Sequence, residues 1–121
     1  MTKKILLVDD EQDILQVISF RLEKADYKVI VASSGEEALV MVDQEKPDVI
    51  LLDVMMPGMD GFEVCKKIKS KSPSQKIIIY TAKVDGVNAA KARESGANDF
   101  TVKTTDLKYI LESIRKMIEF K

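Results

Sequence analysis

The chain of 121 residues contains no histidine and a single cysteine, Cys65. Without histidine there can be no Ser-His or Cys-His nucleophile pair, and no phosphohistidine can be carried on this chain. One cysteine cannot close an internal disulfide or join a Cys/His zinc site; Cys65 reads as a half-buried helix residue. Glycine (5) and proline (3) are too scarce for a low-complexity or fibrous class. Neither sign of charge dominates, with 19 Lys and Arg against 20 Asp and Glu, so no global field draws the chain onto nucleic acid or an anionic membrane. A long hydrophobic run is missing too. Met1-Thr2-Lys3-Lys4 leads into Ile5-Leu6-Leu7-Val8 and then two aspartates, too short for a signal peptide or a membrane span. The expectation is a cytoplasmic protein with no membrane insertion and no direct nucleic-acid binding. Its chemistry must run on carboxylates, hydroxyls and lysines.

What is present is a core-forming composition, 45% hydrophobic and 32% charged, read as one domain over residues 1–121. Five short apolar, largely β-branched runs recur: Ile5 to Val8, Val29 to Ala32, Val49 to Leu52, Ile77 to Tyr80 and Phe100 to Val102. Such runs read as strands buried on both faces. Segments of helical period separate them, the clearest carrying Leu107, Ile110, Leu111, Ile114, Met117 and Ile118 as one stripe. Ser34 with Glu37 and Asp60 with Glu63 fit capping boxes, Thr105 can cap the last helix, and Gly96 suits a left-handed C-cap. Strand and helix alternating five times, with short right-handed crossovers, give a doubly wound α/β fold around a parallel sheet.

In such a sheet, ligands bind at the carboxyl ends of the strands. The residues there are Asp9, Asp10 and Glu11 after the first strand, Asp53 at the end of the third, Thr81 at the end of the fourth and Lys103 after the fifth. Taken singly, most have ordinary explanations: the Asp9-Asp10 pair as helix capping, Lys103 as a solvated loop lysine, Thr81 as a β-former. Asp53 is harder to dismiss, because a carboxylate ending Val49-Ile50-Leu51-Leu52 needs a partner if it is buried. Asp9, Asp10 and Asp53 together would be unstable without a cation, and hard oxygen donors suit Mg²⁺. With a phosphoryl ligand, Asp53 becomes a carboxylate nucleophile, Lys103 a cationic partner and Thr81 a hydroxyl donor. Ala82 is small and leaves a path for a bulky donor.

The sequence resembles the response-regulator receiver family of two-component signalling, including the stand-alone chemotaxis receivers. The carriers are Ile5 through Glu11, Asp48 through Gly61 (DVILLDVMMPGMDG), Thr81-Ala82, and Gly96-Ala97-Asn98-Asp99-Phe100 leading to Lys103. The resemblance covers the whole chain. It implies a flavodoxin-like (βα)5 fold with a five-stranded parallel sheet in the order 2-1-3-4-5. It further implies that Asp53 is the phosphoacceptor, and that Mg²⁺ is held by Asp10, Asp53 and the Met55 backbone carbonyl, with Asp9 acting through water. Thr81 and Lys103 would contact the phosphoryl group, supplied by a histidine kinase or phosphotransfer protein. Thr81 moving inward would let Phe100 rotate, and the surface of the fourth helix, fifth strand and fifth helix would then bind a target protein.

Two departures from the family pattern stand out. Phe100 replaces the usual tyrosine, losing a hydroxyl but not the capacity to rotate; it also reads simply as core. Thr104 replaces a proline that usually follows a cis peptide, so Lys103-Thr104 is expected to be trans, with a rearranged loop. Met55 and Lys83 occupy positions that tune phosphoryl lifetime in the family, and neither suits aligning a hydrolytic water, so slow autodephosphorylation is expected.

The chain is read as a single-domain switch that assists its own phosphorylation and dephosphorylation and is not an enzyme turning over external substrates. A haloacid-dehalogenase-like phosphatase would need a second aspartate where Met55 stands. A pseudo-receiver, acting as an interaction module without phosphorylation, is the alternative. A nucleotide-binding Rossmann domain is disfavoured, because aspartates follow the first strand where a Gly-rich loop is needed.

Overall fold

The computed structural model describes residues 2–58, 60–82, 85–103 and 107–119. Ten elements alternate: β1 Lys4–Val8, α1 Gln12–Lys24, β2 Lys28–Ala32, α2 Gly35–Glu45, β3 Val49–Asp53, α3 Gly61–Lys71, β4 Lys76–Thr81, α4 Gly86–Glu94, β5 Asp99–Val102 and α5 Lys108–Glu119. The strands form one parallel sheet in the order β2-β1-β3-β4-β5, as expected.

Side chains alternate across a strand, and here the alternation divides the core. Leu6, Val8, Ile50, Leu52, Ile77 and Ile79 pack with Ala38, Val42, Phe62, Val64, Cys65 and Ile68 on the face covered by α2 and α3, with Ala92 of α4. Ile5, Leu7, Val49, Leu51, Ile78 and Tyr80 pack on the other face with Leu15, Ile18 and Leu22 of α1 and with Leu107, Ile110 and Ile114. The α5 stripe read from its period is therefore the stripe that docks. Its buried Ser113 donates a hydrogen bond to Asp99, tying α5 to β5.

Three local expectations are corrected. Only β1, β3 and β4 are buried almost throughout; β2 and β5 are edge strands, and Val31 is 43% exposed. Position in the sheet sets burial, which an apolar run cannot disclose. Cys65 is fully buried in α3 and not half-buried, its Sγ facing the Ser95 carbonyl at 3.5 Å. The Asp60 carboxylate accepts the Phe62 N–H at 2.9 Å, one residue nearer than the reciprocal box with Glu63, which instead pairs with Lys66.

The Ser34 cap is as expected: its Oγ accepts the Glu37 N–H at 3.1 Å, while the Glu37 carboxylate reaches back to the Ser33 N–H at 3.0 Å. Gly96 (φ +90) closes α4, with its own N–H donating to the Arg93 carbonyl and the Ala97 N–H to the Ala92 carbonyl, the paired bonds of a Schellman end. The Thr105 cap and the Lys103-Thr104 peptide lie outside the described residues, as does Lys83.

Candidate functional site

Register builds the site. Val8 of β1 lies opposite Leu52 of β3, so the next residues, Asp9 and Asp53, emerge side by side at the carboxyl edge. Asp53 pairs in turn with Tyr80 of β4, and Thr81 with Val102 of β5. The Lys103 N–H then donates to the Thr81 carbonyl at 2.7 Å, carrying the lysine to the same edge. Because β2 and β3 lie on opposite sides of β1, this is where the strand order reverses, the place at which open α/β sheets bind ligands.

Asp9, Asp53 and Thr81 are all buried, whereas Asp10 faces solvent. One carboxylate oxygen from each of Asp9, Asp10 and Asp53 lies within 4.8 Å of the others. The Lys103 ammonium sits 2.8 Å from Asp9 Oδ2, 3.2 Å from Asp53 Oδ2 and 3.2 Å from Glu11 Oε1. Asp53 Oδ1 accepts the Met55 N–H at 3.0 Å, which draws the loop after β3 against the carboxylate. Asp9 Oδ1 accepts the Glu11 N–H at 2.9 Å. Phe100 is partly buried against the cluster formed with α2, α3 and α4.

One member had no place in the sequence reading. The buried Tyr80 hydroxyl donates to Asp9 Oδ2 at 2.5 Å and lies 3.4 Å from the Val8 carbonyl. Its ring centroid is 5.3 Å from the Lys103 ammonium. Ile77-Ile78-Ile79-Tyr80 reads as core, and the ring is core; only the register Asp53↔Tyr80 brings the hydroxyl to the acidic cluster.

The electrostatics follow from burial and mutual charge. Burial pushes the Asp53 pKa above the ordinary carboxyl range and the Asp9 charge adds to the effect, while the Met55 N–H and Lys103 pull it down. For Lys103, burial would lower the pKa, but its hydrogen bond to Asp9 and the charges of Asp53, Asp9 and Glu11 raise it above the usual lysine value. Burial, with the bond to Asp9 and the nearby anionic charge, keeps the Tyr80 phenol protonated and therefore a donor.

The donor set fits a hard cation. It offers oxygens only, two of the three carboxylates are buried and the third opens to solvent, which leaves room for the waters that Mg²⁺ retains. Lys103 now supplies the compensating positive charge. The arrangement joins a buried carboxylate at a strand end, a lysine ammonium held against it and a carboxylate cluster, a set of groups of the kind that phosphoryl transfer uses.

A parallel 2-1-3-4-5 sheet with this acidic edge defines a doubly wound domain of the flavodoxin-like class. The chain belongs to the response regulator receiver domain family, which it matches over residues 5–115. It is 46% identical over 103 residues to the alkaline phosphatase synthesis transcriptional regulatory protein PhoP of Bacillus subtilis (strain 168), a match covering 85% of this chain but only 43% of that protein. The chain thus spans less than half the length of that relative.

Among solved structures, a CheY-like response regulator receiver domain protein from Methanospirillum hungatei JF-1 superposes with a TM-score of 0.91 at 30% identity, covering 98% of this chain and 96% of that one. Response regulator TrrA of Thermotoga maritima, solved in complex with Mg²⁺-BeF, gives a TM-score of 0.89 at 32% identity, covering 96% of this chain and 99% of that one. Among the described residues, no helix is long and apolar enough to cross a membrane.

Proposed function

We propose that this receiver domain is a phosphorylation-dependent switch in which Asp53 accepts a phosphoryl group from a histidine kinase or phosphotransfer protein. The observation that carries the reading is Lys103, whose ammonium bridges the buried Asp9 and Asp53 carboxylates at the sheet's switch point. An Asp53 oxygen attacks the phosphorus of a phosphoimidazole donor. The new P–O bond forms as the P–N bond breaks, and the electron pair leaves on the donor's imidazole nitrogen, which takes up a proton. The donor histidine lies outside these 121 residues, which contain none.

Asp10 and Asp53, with the Met55 carbonyl and with Asp9 through water, would hold Mg²⁺, which when bound neutralises the carboxylates and the phosphoryl oxygens. The Met55 N–H fixes one Asp53 oxygen and leaves Oδ2 facing Lys103. Lys103 then moves from the carboxylates to the phosphoryl oxygens, and the Thr81 hydroxyl donates to them. Thr81 drawn inward frees space for Phe100, and the α4-β5-α5 surface alters to bind a target protein.

No turnover of external substrates follows, since Met55 stands where an acid/base aspartate would be needed. The receiver itself works in the cytoplasm without touching DNA; the transcriptional role in the PhoP name belongs to a protein more than twice as long as the matched region.

The test is intact mass after incubation with Mg²⁺ and acetyl phosphate or phosphoramidate. One phosphoryl unit is expected on the wild type and none on Asp53→Ala or without Mg²⁺. A folded wild type that gains nothing would reduce the chain to a phosphorylation-independent interaction module.

A further inference from the structure

The Tyr80 hydroxyl occupies a place in the acidic cluster that the chemistry above does not use. Its ring lies in the core between the sheet and the α1 and α5 helices, where a phenol needs a polar partner. Of its two acceptors, the Val8 carbonyl is distant at 3.4 Å and Asp9 Oδ2 is close at 2.5 Å. That same Asp9 oxygen accepts from Lys103 at 2.8 Å. The Lys103 ammonium also stands near the Tyr80 ring, 5.3 Å from its centroid, within the range of a cation–π contact. A carboxylate with no solvent exposure is thus held on one oxygen by a charged donor and a neutral one.

We infer that Tyr80 is a positioning residue for divalent-cation binding, its hydroxyl holding Asp9 in place while Lys103 leaves. A divalent ion entering among Asp9, Asp10 and Asp53 has the same sign of charge as Lys103 and competes for the same oxygens. Lys103 must then withdraw from Asp9, and Tyr80 is the side-chain donor that stays. With the hydroxyl removed, Lys103 would be the only side chain among those described that donates to this buried oxygen. Its departure would leave Asp9 with no side-chain donor among them to hold its carboxylate in place for the incoming ion. The ion would also compete against a tighter Lys103–Asp9 pair. The inference rests on the reading of Asp9, Asp10 and Asp53 as a Mg²⁺ cluster.

The experiment is isothermal titration calorimetry with Mg²⁺ on wild type, Tyr80→Phe and Asp10→Asn, with thermal melts of each metal-free protein. Phenylalanine keeps the ring and its contact with Lys103 and removes one oxygen. Tyr80→Phe is expected to bind Mg²⁺ about tenfold more weakly, the lower end of what loss of a ligand's hydrogen-bonding partner does to metal sites.

In acetyl phosphate labelling, its half-saturating Mg²⁺ concentration is expected to rise by a similar factor. The limiting rate at saturating Mg²⁺ should stay within about twofold of wild type, because the hydroxyl acts before chemistry. Equal Mg²⁺ affinity in wild type and Tyr80→Phe, with any loss confined to thermal stability, would make the hydroxyl structural and overturn the inference while the cluster stands. A wild type that does not bind Mg²⁺, or an Asp10→Asn protein that binds it undiminished, would overturn the cluster reading and the inference with it.

Discussion

Asn98 grips Ile77 from two directions: its backbone N–H donates to the Ile77 carbonyl at 2.8 Å, and its side-chain oxygen accepts the Ile77 N–H at 3.0 Å. The same oxygen takes a second bond from the Lys69 ammonium at 2.8 Å. Asn98 thereby fastens the start of β5 to the start of β4, and β5 carries Lys103 to the site. Asn98→Ala leaves the N–H of a fully buried residue without its acceptor, which is expected to destabilise the fold by about 2 kcal/mol. Urea denaturation checks this, and a loss within error of zero would mean that Ile77 finds another partner.

Gly61 meets Val54 where α3 departs from the loop after β3. A Cβ there would lie 2.4 Å from Val54 Cα and 2.9 Å from the Asp53 carbonyl oxygen. Both are backbone atoms, so no side-chain rotation relieves the clash. Gly61→Ala is expected to destabilise by about 3 kcal/mol and to displace the Asp53 loop, slowing phosphoryl uptake even where the variant remains folded. Chemical denaturation and acetyl phosphate labelling read the two effects separately.

The legibility of the site in the sequence was uneven for physical reasons. Asp53, Thr81 and Lys103 could be located in advance because a parallel sheet delivers strand ends to one edge, and each follows an apolar run that sets its own register. Asp9 and Asp10 were legible for the same reason. Tyr80 was not, because its partner Asp9 lies 71 residues away, and an aromatic closing an apolar run looks like packing. The exposure of Val31 was hidden likewise, since edge position is a property of strand order and not of composition. The Asp60 carboxylate, with several amides in reach, chose the Phe62 N–H, a choice that spacing alone leaves open.

Met55 is 58% exposed and its side chain has nothing with which to orient a water, although its N–H is bound to Asp53. Loss of the phosphoryl group from purified protein is therefore expected to take minutes or longer. Met55→Asn, which adds a donor and an acceptor beside the acyl phosphate, should speed hydrolysis several-fold. Loss of label followed by intact mass decides it; a wild-type half-life of seconds would contradict the reading.

Asp53 gives the metal-free protein a signed pH dependence. Burial raises its pKa in the folded state, so the folded chain binds more protons than the unfolded one between the ordinary carboxyl value of 3.8 and the raised one. Stability contributed by this group falls as pH climbs through that window, and the full penalty is present above it. In chelator-treated protein, Asp53→Asn should raise the melting temperature by a few degrees at neutral pH, with the gain shrinking as pH is lowered through the window. A shift of constant size across the acid-to-neutral range would show that the difference is not protonic.

Lys103 and a divalent cation should substitute for one another in stability. In the resting structure the ammonium compensates Asp9 and Asp53, both buried, and removing one partner from such an arrangement strands charge. Lys103→Met is expected to destabilise the metal-free protein by about 3 kcal/mol, at the low end for a buried partner because Glu11, the third carboxylate at the ammonium, is largely exposed. Millimolar Mg²⁺ should restore much of that loss, since an ion bound only by the folded state stabilises it by mass action. The same Mg²⁺ should stabilise the wild type less, because there it must first displace the ammonium. Denaturation curves of both proteins with and without Mg²⁺ measure the two increments. Equal increments would mean that Lys103 and the ion do not share the Asp9 and Asp53 oxygens, and the competition that links metal binding to the release of Lys103 would fail.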